Sequence, residues 1–282
     1  MAAFRSAARL ASVDRYVVIG NPVAHSLSPD IHARFAESTG ERLHYDRLLV
    51  PRGEFEAQVR RFFAEGGRGA NVTLPFKEDA LRFADRASER ARLAGAANFL
   101  VRRGDAIEAD NTDGAGLVAD LARQGVKLDG ARVLLVGAGG AARGVIAPLL
   151  DARPLQLEIA NRTASRAEAL ATRFAALGAI RALPLEAIRA GGYDVVINAT
   201  STSTHGEVLA LPQDVLAPGV FAYDMAYGPS ARPFVERARA AGATASDGLG
   251  MLVAQAAESF MQWRGMRPPT EAVLAALRAR GA

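Results

Sequence analysis

Residues 132–150 read RVLLVGAGGAARGVIAPLL: an apolar run, a glycine-rich turn and a second apolar run in direct succession. The first run suits a buried strand and the second a helix. A strand that turns straight into a helix argues for an α/β chain with a parallel sheet. At the junction, Gly137-Ala138-Gly139-Gly140-Ala141-Ala142 fits GxGxxA. Alone that pattern is weak, but here it follows a strand and opens a helix, the context it requires. Gly137 permits the tight turn, Gly139 lets backbone approach a pyrophosphate, and Ala142 lets the helix pack closely on the sheet. Helix amides and the helix dipole then favour phosphate charge. No Gly-Lys-Ser/Thr follows, which excludes a P-loop.

The next strand, LQLEIA, ends at Asn161, followed by Arg162, Thr163 and Arg166. An NAD site usually carries an acid at this strand end. Asn161 keeps a hydrogen bond to the ribose without repelling a 2′-phosphate, and an arginine can pair with that phosphate in bidentate fashion. NADP is therefore the expected cofactor. Glu158, three positions earlier, is expected to point away from the site.

The rest of the chain bounds the partners. Its 282 residues suit one large or two small domains. Lys and Arg exceed Asp and Glu by four, and the charges are mixed along the chain, so no nucleic-acid surface is implied. With no cysteine and four scattered histidines, disulfides are excluded and no metal site is expected. No apolar run approaches the ~20 residues of a membrane span. A cytoplasmic protein, a monomer or a homodimer, is expected. Residues 1–14 read as a short extension, although their Ala, Arg and Ser content is also that of organelle transit peptides.

Strand and helix patterns alternate from Tyr16 onward. A helix is expected over 29–39, with Ser28 as N-cap and Pro29 at its first position. Residues 77–95 read as one charged amphipathic helix, 99–110 as two strands around a Gly-Asp turn, and 117–123 as a helix. Strands DVVIN and VFAYDM follow, and two helices close the chain. GNPVAHSLSP, residues 20–29, poses a separate question. Its serines and histidine could be a nucleophile with its base, or hydroxyls held toward a ligand by a rigid loop. No third orienting group or oxyanion motif accompanies His25, so the second reading is preferred. His25 itself is left without a role.

GNPVAHSLSP, NVTLPFKE, AGAANF, DNTDG, VGAGGAARG, NRT, INAT, YDMAYGP and DGLGMLVAQA occur in this order. Together they resemble the shikimate dehydrogenase family, from about residue 15 to the C-terminal helices. The resemblance implies reversible reduction of 3-dehydroshikimate to shikimate with NADPH. It also implies two α/β domains: a discontinuous substrate-binding domain, 1–113 plus 248–282, and a Rossmann domain, 114–247. Carried over position by position, Lys77 and Asp113 match the catalytic pair. Ser26, Ser28, Thr73, Asn98, Tyr227 and Gln255 match substrate-binding positions, and Met225 and Gly248 match positions near the nicotinamide. A lysine beside a carboxylate can give a proton to the oxygen of a reduced ketone or take one from it. Whether the pair works charged or neutral is open at this point. Gln255 lies on a mostly apolar helix and shares a face with Met251 and Ser259, which suggests a lined cavity. Ser203, Arg232 and Ser246 depart from the family pattern and bear on cofactor handling more than on reaction type.

A quinate/shikimate dehydrogenase of catabolic type would be expected to prefer NAD, against the basic strand end at Arg162. A non-catalytic NADP-binding protein is disfavoured by intact Lys77 and Asp113. A methyltransferase with a GxGxG loop leaves the motifs outside that loop unexplained.

Overall fold

The computed structural model describes residues 13–281, apart from 190–191, 203–208 and 210. The proposed extension 1–14 lies almost wholly outside the described residues, and so does Ser203. Two six-stranded sheets organise the rest.

The first sheet runs β2(Leu43–Leu49), β1(Asp14–Gly20), β3(Gly67–Val72), β5(Phe99–Arg103), β6(Ala106–Asp110), β4(Arg86–Ala87). β1 is parallel to both neighbours, whereas β5 is antiparallel to β3 and β6. β1 is buried on both faces, which is why it reads as a continuous apolar run. Val17 and Ile19 pack with Val59 and Phe63 of α2(Phe55–Ala64). Tyr16 and Val18 pack with Trp263 of α9(Leu249–Arg264). α1(Ser28–Thr39), α9 and α10(Glu271–Ala279) share a further cluster around Phe35 and Phe260.

The second sheet is wholly parallel, in the order β12(Thr244–Ser246), β11(Phe221–Asp224), β10(Val195–Asn198), β7(Arg132–Val136), β8(Gln156–Asn161), β9(Ile180–Pro184). Counted from β7 this is 3-2-1-4-5-6, the doubly wound order, with its switch point between β7 and β10. One face packs on α5(Asp113–Arg123), α6(Gly140–Asp151) and α7(Ala164–Phe174), and the other on α8(Arg232–Ala240). Among the described residues no helix is long and apolar enough to cross a membrane.

Several expectations are corrected. Residues 77–95 are not one helix but α3(Lys77–Phe83), β4 and α4(Glu89–Ala94). Two bonds explain the break: the amide of Asp85 donates to Ile107 O of β6 at 2.9 Å, and Ser88 Oγ accepts from the Ala91 amide at 3.1 Å, capping α4. Ser28 is not the N-cap of α1. Leu27 holds that position without a side-chain bond, and Ser28 is the first helical residue. The helix expected from Leu117 begins at Asp113. β9, β12 and α8 had no strand or helix reading in the sequence. Arg232 opens α8 and is exposed; Ser246 ends β12, its hydroxyl donating to Asp247 O at 3.3 Å.

α5 and α9 approach each other closely. A Cβ on Gly250 would fall 2.0 Å from Asp120 Oδ1. Asp120 is buried and accepts from the Tyr223 hydroxyl at 2.7 Å and from Gln124 Nε2 at 3.0 Å. It cannot step aside without breaking these bonds. Gly250→Ala is therefore expected to cost about 3 kcal/mol, measured as a shift in the urea unfolding curve. A variant as stable as the parent would contradict this packing.

Candidate active site

α5 packs against both α6 and α9, and α4 packs against α6, between the two sheet units. Lys77, the first residue of α3, donates from Nζ to Asp113 Oδ2 at 2.6 Å. Their side chains are 20% and 10% exposed, open enough to reach a ligand and shielded enough for the pair to matter. Asp113 opens α5. Its Oδ1 accepts from Asn98 Nδ2 at 2.8 Å, and its amide donates to Asn111 Oδ1 at 3.1 Å. The carboxylate thus has a fixed orientation, with one oxygen for Lys77 and one for Asn98.

Asn98 is the hub of a buried amide network. Its Oδ1 accepts from the Thr112 amide at 2.7 Å, and its Nδ2 contacts Thr112 Oγ1 at 2.9 Å and Gln255 Oε1 at 3.4 Å. Gln255 is buried on α9 and also accepts from Thr112 Oγ1 at 3.3 Å, so it is neither a surface amide nor unpartnered. Behind it, Tyr45 donates to Asn71 Oδ1 at 2.9 Å, and Asn71 Nδ2 donates to Ser259 Oγ at 2.8 Å. Asn71, Asn111, Thr112 and Ser259 had no assigned role in the sequence reading. Asn71, Asn111 and Thr112 sit in the NVT and DNTDG motifs, and Ser259 shares the Gln255 face of its helix.

Ser26 and Ser28 flank the start of α1. Ser26 Oγ lies 3.2 Å from Ser28 Oγ and accepts from the Ser28 amide at 3.3 Å, while Arg47 Nη2 holds Ser26 O at 2.6 Å. His25 is exposed beside them. Thr73 backs onto this loop: its amide donates to Ile19 O at 2.8 Å, and the Asn21 amide donates to Leu74 O at 3.0 Å. Tyr227 packs with Leu27 against the α1–α9 cluster, and burial pushes its hydroxyl pKa up, so it stays a neutral donor.

The glycine loop sits at the switch point. Gly137 has φ +119°, and a Cβ there would lie 2.8 Å from Ala199 O, so both conformation and space demand glycine. Gly139, by contrast, would carry a Cβ into open space, and Gly140 and Ala141 begin α6 behind it. Ala138 is half-buried and Ala142 fully buried. At the end of β8, Asn161 Nδ2 donates to Thr163 O at 3.0 Å. The exposed Arg162 and Arg166 have no side-chain hydrogen-bond or ion-pair partner among the described residues. An open backbone cradle at a helix start with two uncommitted guanidiniums beside it fits a phosphorylated dinucleotide. Glu158 does point away, buried under Arg181 Nε at 2.8 Å and the Tyr193 hydroxyl at 2.5 Å. Met225 packs at the edge of the core facing α5–α7, and a Cβ on Gly248 would fall 2.4 Å from Met225 O.

Three family models cover the chain. Residues 18–100 match the shikimate dehydrogenase substrate binding domain, 120–210 match shikimate / quinate 5-dehydrogenase, and 248–278 match the shikimate 5'-dehydrogenase C-terminal domain. The chain is 56% identical to shikimate dehydrogenase (NADP(+)) of Acidovorax sp. (strain JS42), over 95% of this chain and 97% of that relative.

The chain belongs to the shikimate dehydrogenase family.

Solved structures agree. A shikimate 5-dehydrogenase from Thermus thermophilus, in complex with NADP(H) and shikimate, superposes with TM-score 0.85 and 34% identity, covering 94% of this chain and 99% of that one. An Ael1 enzyme from Pseudomonas putida superposes with TM-score 0.90 and 46% identity, over 94% and 98%. The two-sheet α/β architecture is thus the family's own.

Proposed function

We propose that this chain reduces 3-dehydroshikimate to shikimate with NADPH, and runs the reverse oxidation with NADP+. The observation that carries this reading is the Lys77–Asp113 pair, 2.6 Å apart, at the junction of a polar, hydroxyl- and amide-lined sheet unit with a dinucleotide cradle. NADPH, when bound, supplies the hydride. Lys77, oriented by Asp113, holds the proton that the substrate's ketone oxygen gains on reduction and takes it back on oxidation. Asn98 fixes Asp113 so that the lysine is aimed before substrate arrives. Ser26 and Ser28 hold the substrate carboxylate, and Thr73, Asn98, Gln255 and Tyr227 its hydroxyls. Gly137, Ala138, Gly139, Gly140 and Ala141 cradle the pyrophosphate. Asn161, Arg162, Thr163 and Arg166 hold the adenosine end, with Met225 and Gly248 beside the nicotinamide. Residues 1–113 with 248–282 form the substrate-binding unit and 114–247 the cofactor unit. A cysteine-free chain suits the reducing cytoplasm, where we place it, as a monomer or homodimer.

Replacing both arginines, Arg162→Ala with Arg166→Ala, is expected to raise KM for NADP+ about 10- to 100-fold, the loss of charge-assisted hydrogen bonds, and to leave NAD+ almost unaffected. Equal losses for both cofactors would contradict recognition of the 2′-phosphate. Turnover measured with shikimate and quinate, each with NADP+ and NAD+, tests the reaction itself. Shikimate with NADP+ is expected to be fastest; quinate with NAD+ leading would overturn the assignment.

A further inference from the structure

Helix α6 carries more than a phosphate cradle. Arg143, one turn into it, crosses to the other sheet unit and donates from Nη2 to Glu78 Oε1. Glu78 directly follows Lys77 on α3, and hydrogen bonding to Arg143 holds its carboxyl below the usual glutamate range. The Arg143 side chain is 23% exposed, and its Nε is buried with no hydrogen-bond partner. Among the described residues Glu78 is the one group that anchors this guanidinium.

The neighbouring residue reaches the other half of the pair. A Cβ on Gly144 would lie 3.4 Å from Asp113 Oδ2 and 3.2 Å from both side-chain polar atoms of Asn111, so the gap between the α6 backbone and this carboxylate and its support barely admits one carbon. The two contacts converge on one strip of chain. Gly95, at the end of α4, faces Arg143 and Arg173, whose nearest atoms would lie 3.5 and 3.3 Å from a Cβ there. Beyond it, Ala96 O accepts from Asn111 Nδ2 at 3.0 Å and the Ala97 amide donates to Lys77 O at 2.8 Å. Asn98 then holds Asp113. One helix therefore carries the phosphate cradle in its first residues, bonds the neighbour of Lys77 through Arg143, and at Gly144 passes within a side-chain carbon's reach of Asp113.

We propose that Arg143 is a positioning residue: its ion pair with Glu78 clamps the helix that carries Lys77 to the cofactor-binding helix, so that ligand occupancy at the start of α6 is transmitted to Lys77. The inference rests on the reaction proposed above. A partly exposed pair contributes little to folding stability. A small misplacement of a catalytic group, in contrast, slows chemistry strongly. The role therefore shows in kcat and not in unfolding.

The test compares Glu78→Gln, Arg143→Gln and the double variant in the full chain. Each single change is expected to lower kcat for shikimate oxidation about tenfold, with the double variant no slower, because both remove the same contact. The Kd for NADPH, from its fluorescence, is expected to stay within about twofold, since the cradle is intact. A readout without turnover is available because the chain has only two lysines, Lys77 and Lys127. After reductive ¹³C-methylation, with Lys127→Arg for assignment, the Lys77 resonance is expected to move when 2′-phospho-ADP-ribose binds. That probe lacks the nicotinamide, so the effect must travel through the protein. In Glu78→Gln the same addition is expected to leave the resonance in place. The proposal is overturned by unchanged kcat in the single variants, by additive losses, or by an equal resonance shift in Glu78→Gln. It is equally overturned if Arg143→Gln alone weakens NADPH binding tenfold, which makes Arg143 a cofactor ligand. Failure of the proposed reaction would show instead as an inactive parent enzyme, with the resonance experiment still deciding the coupling.

Discussion

Lys77→Ala lowers kcat for shikimate oxidation by about a thousandfold and leaves NADP+ affinity unchanged, the expected result of removing a single acid–base group. Lys77 is paired with Asp113 at 2.6 Å and tied through its own carbonyl to the Ala97 amide at 2.8 Å, so both ends of the residue are located. The other lysine, Lys127, lies in the connection between α5 and β7 and cannot substitute. The cradle at Gly137–Ala141 and the arginines at 162 and 166 are untouched by the change, hence the unchanged cofactor affinity. Steady-state turnover together with a cofactor titration checks both halves. Undiminished turnover would remove Lys77 from the chemistry; lost cofactor binding would show that it acts on NADP instead.

Mild acid is expected to destabilise the fold through His32. The imidazole is wholly buried on α1, stacked on Tyr45 at 4.2 Å and surrounded by Phe35, Phe260 and Trp263. Burial pushes its pKa from 6.5 down to about 3, an effect that the nearby Asn71 amide only partly offsets. The unfolded chain takes up a proton below pH 6.5, whereas the folded chain does so only near pH 3. Stability is therefore fully present above pH 6.5 and falls as the pH drops toward 3. The loss between about pH 6.5 and 4.5 is about 2 kcal/mol. His32→Phe keeps an aromatic ring in the stack and removes the proton site, so its urea midpoint should change much less across that window. Asp110 adds acid sensitivity at lower pH only: burial opposes its charge, but Arg90 and Ser88 overcome this and lower its pKa, so its contribution disappears below its unfolded value of 3.8. Parallel pH dependence in the parent and His32→Phe would contradict a neutral, buried His32.

The sequence was most legible where one residue type can meet a geometric need. Gly137 at φ +119° against Ala199 O admits no side chain, and the run before it is buried on both faces, so strand, turn and helix were all readable. Gln255 stood out as a lone amide on an apolar helix, where a lined cavity was expected; the structure places it buried, with Asn98 and Thr112 as partners. Residues 77–95 misled because their helical periodicity is real at both ends. The break depends on Asp85 and Ser88 bonding to β6, which lies about twenty residues further along the chain. β9 and β12 are edge strands of five and three residues, too short and too exposed to impose a period. The pairing of Lys77 with Asp113 was legible only through resemblance. Lys77 and Asp113 stand 36 positions apart, and spacing alone gives no reason to join them. Ser28 suggested a cap by composition, yet the chain turns one residue earlier, and its hydroxyl is left beside that of Ser26.

The most direct test of the proposed reaction is the appearance of NADPH absorbance when the purified chain is mixed with shikimate and NADP+. Steady turnover that saturates in both ligands and reverses with 3-dehydroshikimate and NADPH is expected. No NADPH formation, from a protein that is folded and binds NADP+, would contradict it.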